Sequence, residues 1–166
     1  MAGSGKSAIG KRVAAAIGWK FVDLDLLILE KQGISHHEYM KANGEEALKA
    51  LEEKYTLELD LEDTVFAPPG SIIYSPKSMD KVEKESTLIY LQASPEVIAL
   101  HLGDNLHKNG IIGLEEKGLA GVMAERKPLY EKYADLTFVS EIQTREEMVE
   151  KVLRGLEAIG IKRKLS

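Results

Sequence analysis

Short apolar runs alternate along this chain with longer stretches of helical periodicity, the pattern of an α/β domain built on a parallel sheet flanked by helices. An alanine-rich stretch over residues 7–17 reads as the first helix, stopped at Gly18. Trp19-Lys20-Phe21-Val22 follows as a strand ending at Asp23, and a helical stretch over Leu24–Gln32 stops at Gly33. His36–Asn43 reads as a short helix and residues 44–61 as a longer one rich in Glu, Lys and Leu. Thr64-Val65-Phe66-Ala67 is a buried-type strand broken by Pro68-Pro69-Gly70. Leu88-Ile89-Tyr90-Leu91 is the next strand, and Pro95 suits the first turn of a helix running to about Leu102. Residues 103–113 are polar and glycine-containing with no clear period, which predicts a mobile lid over about 103–114. Residues 115–133 are helical, with a break expected from Gly118, Gly121 and Pro128. Leu136-Thr137-Phe138-Val139 is the last strand and 144–159 the closing helix. Val22, Val65, Ile89 and Phe138 should then lie on adjacent strands inside one sheet.

Composition adds bounds. The chain has 166 residues, 44% hydrophobic and 30% charged, as expected of one ordinary globular domain. A net charge of −5 argues against a protein that grips nucleic acid backbones, and no apolar run reaches membrane-spanning length. Cysteine is absent, so disulfides and thiolate chemistry are excluded, in keeping with a reducing compartment. A cytoplasmic monomer acting on a small molecule is the resulting expectation.

The chemistry begins at the start of the chain. Gly3-Ser4-Gly5-Lys6-Ser7, followed by Ala8, is the core of a phosphate-binding loop opening directly into a helix. Glycines there let backbone N–H groups turn onto the phosphates of ATP. Lys6 would reach the β- and γ-phosphates, the Ser7 hydroxyl would ligate Mg²⁺, and the helix dipole adds to the anion site. The bland alternative is a flexible Gly/Ser start before an ordinary helix. The full pattern G-x-x-x-x-G-K-[ST] places its first glycine ahead of Met1, and no strand leads into the loop. The expectation is therefore an incomplete N-terminus and a sheet lacking the strand before the loop.

Asp23-Leu24-Asp25 lies at the end of the second strand-like run, where open α/β sheets bind their ligands. Asp23 could hold Mg²⁺ through water, and Asp25 could orient or deprotonate an acceptor hydroxyl. Alternatively, Asp25 is simply the N-cap of the next helix. His36-His37 points two ways from a helix start and reads as solvated polar surface rather than a metal pair.

Taken together, these segments resemble the shikimate kinases, small P-loop kinases with a nucleoside-monophosphate-kinase-like three-layer architecture. The resemblance rests on Gly3-Ser4-Gly5-Lys6-Ser7, Phe21-Val22-Asp23-Leu24-Asp25, and the stretch from Gly33-Ile34-Ser35 to Gly44-Glu45-Glu46. It continues in Ile89-Tyr90-Leu91, in Glu125-Arg126-Lys127-Pro128-Leu129-Tyr130 and in Ala134-Asp135. It implies Mg²⁺- and ATP-dependent phosphorylation of a hydroxyl on a small anionic acceptor. Asp25 matches the acceptor-binding aspartate, Asp23 its metal-side partner, and Arg126 an arginine on the acceptor carboxylate. Without that match, Arg126 would read as a surface residue of a charged helix.

The chain also departs from the family's pattern. Leu48-Lys49 stands where Phe-Arg is usual, which keeps a charge but loses the planar fork of a carboxylate clamp. Pro68-Pro69-Gly70 replaces three glycines, leaving Gly70 as the matched backbone position. Asn109-Gly110-Ile111-Ile112-Gly113 lacks the lid arginine. The first reading is a kinase of this type for which shikimate is a poor substrate. The second is a non-catalytic nucleotide-binding module that has lost its acceptor pocket.

Overall fold

The computed structural model describes residues 1–140 and 144–164. Helix α1 (Lys6–Ile17) leads into strand β1 (Lys20–Asp23), followed by helices α2 (Leu24–Gln32), α3 (His36–Asn43) and α4 (Glu45–Glu58). Strand β2 (Thr64–Ala67), a 3₁₀ turn over Gly70–Tyr74, and helix α5 (Pro76–Glu85) come next. Strand β3 (Ile89–Ala93) and helix α6 (Pro95–Leu102) precede a second 3₁₀ turn over Gly103–Lys108. Helix α7 (Leu114–Tyr133), strand β4 (Leu136–Ser140) and helix α8 (Arg145–Ala158) complete the order. No helix among the described residues is long and apolar enough to cross a membrane.

All strand pairing is parallel, which requires the helical crossovers seen between strands. β1 pairs with β2, Phe21 opposite Val65 and Asp23 opposite Ala67. β3 pairs with β4, Ile89 opposite Leu136 and Leu91 opposite Phe138. Among the described residues the two pairs share no hydrogen-bonded ladder. A cleft of about 580 Å³ separates them, lined by Val65 and Ala67 on one side and Ile89 and Leu91 on the other. Val22 and Val65 thus sit on one parallel pair and Ile89 and Phe138 on another, so the expected adjacency in one sheet holds only within each pair.

Side-chain alternation places helices on both faces. On one, Ile9, Val13 and Ile17 of α1 and Met148, Val152, Leu153 and Leu156 of α8 pack with Val65, Leu91 and Phe138. On the other, Ile72, Ile73, Met79 and Val82 pack with Phe66, Leu88 and Tyr130. Successive residues Val65 and Phe66 therefore serve opposite layers.

The helix ends follow local chemistry. Gly18 closes α1 in the left-handed region, φ 79°, donating its N–H to Ala14. Ser35 and Glu38 form a reciprocal capping box at α3, and Thr144 and Glu147 form another at α8. The break expected in α7 falls at Gly118 alone (φ 64°, ψ 173°), and the helix continues through Pro128. Residues 103–108, expected to be irregular, form a 3₁₀ turn, and Ile111 and Ile112 beyond it are buried. Helix α5 has no counterpart in the sequence reading, although Ser75 and Pro76 form an ordinary cap-and-proline start.

Candidate active site

The loop at residues 2–5 enters α1 through two left-handed glycines, Gly3 (φ 74°) and Gly5 (φ 88°). Both conformations penalise any residue with a Cβ. Gly3 is also tightly packed, because a Cβ there would lie 2.9 Å from Leu102. Ser4 is buried and donates its hydroxyl to the Met1 carbonyl at 2.8 Å, while His101 Nδ1 lies 2.8 Å from the Gly3 carbonyl oxygen. No side chain caps α1, and its first turn carries no acid. The free N–H groups and positive dipole end are thus left for an anion, which fits the phosphates of ATP. Lys6 and Ser7 sit in that first turn and Ala8 follows in the same helix.

At the carboxyl end of β1 the two aspartates have different tasks. Asp23 is buried and is itself the N-cap of α2, its Oδ1 accepting from the Asp25 and Leu26 N–H groups at 3.0 and 3.4 Å. The capping role thus falls to Asp23, not Asp25. Asp25 projects from the first turn of α2, with Oδ2 4.0 Å from Lys6 Nζ. Among the described residues no cluster of three or more His, Asp or Glu side chains forms a metal cage. Mg²⁺ keeps several waters and takes only one or two protein ligands beside substrate phosphates, so it needs no such cage. Ser7 lies in the first turn of α1, and Asp23 ends β1 with its Oδ1 engaged in the α2 cap.

A small cavity of about 20 Å³ lies beside this pair, lined by Lys6, Asp25, His36, Glu52, Gly70 and Arg126. Arg126 is only 2% exposed, so the surface alternative is excluded. Its guanidinium lies over the Tyr74 ring at 5.2 Å and donates to the Ile112 carbonyl at 3.0 Å. Gly70 is needed at this point: a Cβ would sit 2.8 Å from Arg126 Nη1 and 2.9 Å from the Tyr130 hydroxyl. Tyr130 donates to the Gly70 carbonyl at 2.7 Å, and burial pushes its phenol up to about 12. Residues 109–112 close the cavity, and the Gly113 N–H donates to Glu45 at 2.8 Å.

Lys49 is not part of this lining. Its ammonium pairs with Glu46 on the same helix and lies 5.9 Å from the Tyr74 ring. Two other residues are part of it instead: His36, which the sequence reading set aside, and Glu52, which it did not single out. His36, read as solvated, is buried, with Nε2 3.6 Å from Asp25 Oδ1 and 3.6 Å from Glu52 Oε1. Glu52 is buried too; its Oε2 accepts the Ser71 hydroxyl at 2.6 Å, and burial pushes its carboxyl up to about 7. The available signal for Glu52 was its place one turn from Leu48, which is fully buried on α4.

Comparison with known proteins decides between the two sequence readings. The shikimate kinase family model matches residues 2–157. The chain belongs to the shikimate kinase family. The shikimate kinase of Caldanaerobacter subterraneus subsp. tengcongensis is 31% identical over 156 residues, covering 92% of this chain and 90% of the relative. That of Chlorobium chlorochromatii is 31% identical over 166 residues, covering 93% and 86%. Among solved structures, the shikimate kinase of Acinetobacter baumannii in complex with shikimate shares the fold with a TM-score of 0.87, at 21% identity over 97% of this chain and 91% of that one. As a shikimate kinase family member the chain is an α/β phosphotransferase that uses ATP with Mg²⁺, and the non-catalytic reading is not favoured.

Proposed function

We propose that this chain transfers the γ-phosphoryl group of Mg·ATP to one hydroxyl of shikimate or a closely similar cyclic hydroxy acid. The observation carrying this is the Lys6–Asp25 pair at 4.0 Å beside a cavity that also holds Arg126 and Gly70. An anion-binding loop alone would serve nucleotide binding; Asp25 adds a proton acceptor on the acceptor side. Bound Mg·ATP supplies the phosphoryl group and the dication that neutralises its charge. Lys6 and the loop N–H groups hold the phosphates, and Ser7 and Asp23 serve the metal. Asp25 orients the acceptor hydroxyl and takes its proton as the new O–P bond forms and the bond from the γ-phosphorus to the β–γ bridging oxygen breaks, releasing ADP. Arg126 meets the acceptor carboxylate across the Gly70 backbone, and Lys49 contributes only if it leaves its pairing with Glu46.

The 20 Å³ cavity has room for about one water molecule, not a cyclic acid. Residues 103–114 therefore act as a lid whose 109–113 segment withdraws to admit the acceptor. Because Lys49 cannot form a bidentate fork and Pro68 and Pro69 offer no N–H, kcat/KM with shikimate falls below that of relatives with arginine and glycines there. In the same reading the chain acts as a cytoplasmic monomer on a small molecule, not on nucleic acid. Steady-state kinetics with shikimate and Mg·ATP test the proposal: slow turnover that depends on Asp25 is expected. Tight ATP binding without phosphorylation of shikimate or related hydroxy acids would overturn it.

A further inference from the structure

Two buried polar atoms face each other in the acceptor cavity, and neither has a hydrogen-bond partner. They are Asp25 Oδ1 and His36 Nε2, 3.6 Å apart. An orphan of this kind is costly in a closed site, and a shift of roughly 0.5 Å would bring the pair within hydrogen-bonding range. Competition for the imidazole comes from Glu52, whose Oε1 is also 3.6 Å from Nε2. The Glu52 carboxyl is tied through its other oxygen, Oε2, to Ser71, whereas Asp25 Oδ1 has no hydrogen-bond partner to hold it. The imidazole is held in place from outside. His36 opens α3 behind the Ser35–Glu38 capping box, and lid residue Gly110 packs so closely that a Cβ there would lie 2.9 Å from His36 Cβ.

Resting on the assignment of this cavity as the acceptor site, we propose that His36 is a positioning residue that donates from Nε2 to Asp25 Oδ1. With Oδ1 fixed, Oδ2 is left beside Lys6 and turned to the incoming hydroxyl. His36 works through Asp25 and does not itself take the substrate proton. Burial favours the neutral imidazole, which still has one N–H to give. The proposal accounts for a buried histidine among Asp25, Glu52 and Lys6 that the phosphoryl-transfer step does not otherwise use.

The experiment compares His36→Leu and His36→Gln with the unmodified chain, using shikimate and Mg·ATP, with calorimetric Mg·ATP affinity as the check on folding. Loss of one orienting hydrogen bond predicts that His36→Leu lowers kcat about tenfold while KM for shikimate stays within about twofold. His36→Gln, whose amide N–H reaches a similar point, should recover most of kcat. An unchanged kcat in His36→Leu overturns the proposal, as does an equal fall in both variants. A raised KM at constant kcat also overturns it, by making His36 an acceptor contact. A second readout needs no turnover: the ¹⁵N signals of the His36 ring should show a protonated Nε2 that shifts in Asp25→Asn. An unprotonated Nε2, or no shift, overturns the proposal even if the His36→Leu substitution impairs folding. Failure of the unmodified chain to phosphorylate any hydroxy acid would instead defeat the proposed function and leave the ring signals to decide the pairing.

Discussion

The phosphate end and the acceptor end of this site are built from different materials. At the phosphate end the binding groups are backbone N–H donors fixed by Gly3 and Gly5 and delivered by one contiguous loop and the start of α1. At the acceptor end they are side chains from α2, α3, α4 and α7 meeting around the Gly70 backbone. Backbone donors have one fixed geometry, so a few glycines specify them. Side-chain sites must be satisfied atom by atom, and here unpartnered atoms accumulate on Asp25 and His36. The backbone end thus presents donors of fixed direction, while the other holds polar groups awaiting a ligand or a small rearrangement.

The largest expected effect breaks the phosphate end. Lys6→Ala removes the cation of the loop and should lower kcat/KM by about 10³ or more, comparable with loss of a transition-state cation. Mg·ATP affinity should fall with it. Lys6→Arg should also impair turnover, because the wider guanidinium fits a tight loop poorly. Calorimetry giving unchanged Mg·ATP affinity for Lys6→Ala would remove the distinction between the two ends.

Asp25→Asn tests the acceptor end alone. Losing a positioned proton acceptor typically costs about 10²-fold or more in kcat. Asp25 touches the phosphate end only through Lys6, at 4.0 Å, so Mg·ATP affinity should change far less than kcat, by no more than a few-fold. If ATP affinity fell as far as kcat, the two ends would be one coupled unit, not two separable ones.

This difference also explains how much of the molecule is legible in its sequence. The loop is legible because its chemistry is local: Gly5, Lys6 and Ser7 are neighbours in sequence and in space. Strand β2 and helices α2 and α3 are legible because Pro68, Gly33 and Ser35 punctuate them. Asp25 is legible from its place after a strand end beside the loop, whereas Arg126 gains its role from resemblance alone, since the four elements of the acceptor end converge only in the fold. His36 escapes a sequence reading because its burial comes from Gly110, more than seventy positions away in the chain. Helix α5 escapes it because its apolar side is only Met79 and Val82 within a largely charged stretch, while its start signal, Ser75-Pro76, follows a 3₁₀ turn instead of a strand. Lys49 occupies the clamp position of the motif, and the motif carries no information on its rotamer.

A smaller effect concerns how the acceptor end stores its carboxylates. Burial raises Glu52 from its ordinary 4.5 to about 7, so the folded chain holds its proton more tightly than the unfolded chain. Between those values the native state binds more protons, and stability from this group falls as pH rises through the window and is lost above about 7. Glu52→Gln stays neutral throughout and still offers an oxygen to Ser71. Denaturant unfolding should therefore show the variant gaining on the unmodified chain by on the order of 2 kcal/mol between pH 5 and pH 8. A constant difference across that range would mean that Glu52 is hydrated, and that the acceptor end is wetter than its packing implies.

The smallest effect separates position from stability. Ser35 caps α3 by accepting the Glu38 N–H, while Glu38 accepts the Ser35 N–H at 2.8 Å. Ser35→Ala removes the side-chain half of this box and should cost about 1 kcal/mol of stability. A purely structural cap would lower the melting temperature and leave the kinetics of the folded enzyme untouched. α3 also carries His36 into the acceptor cavity, so a frayed first turn should displace the imidazole. Turnover at saturating shikimate is then expected to fall about twofold to threefold, with Mg·ATP affinity unchanged. Thr144→Ala is the matched control, because it breaks the same kind of box at α8, which packs on α1 and lines no part of the acceptor cavity. Equal stability losses with a kinetic effect in Ser35→Ala alone would tie the acceptor end to the placement of one helix start. Equal kinetics in both would leave the cap as a matter of stability only.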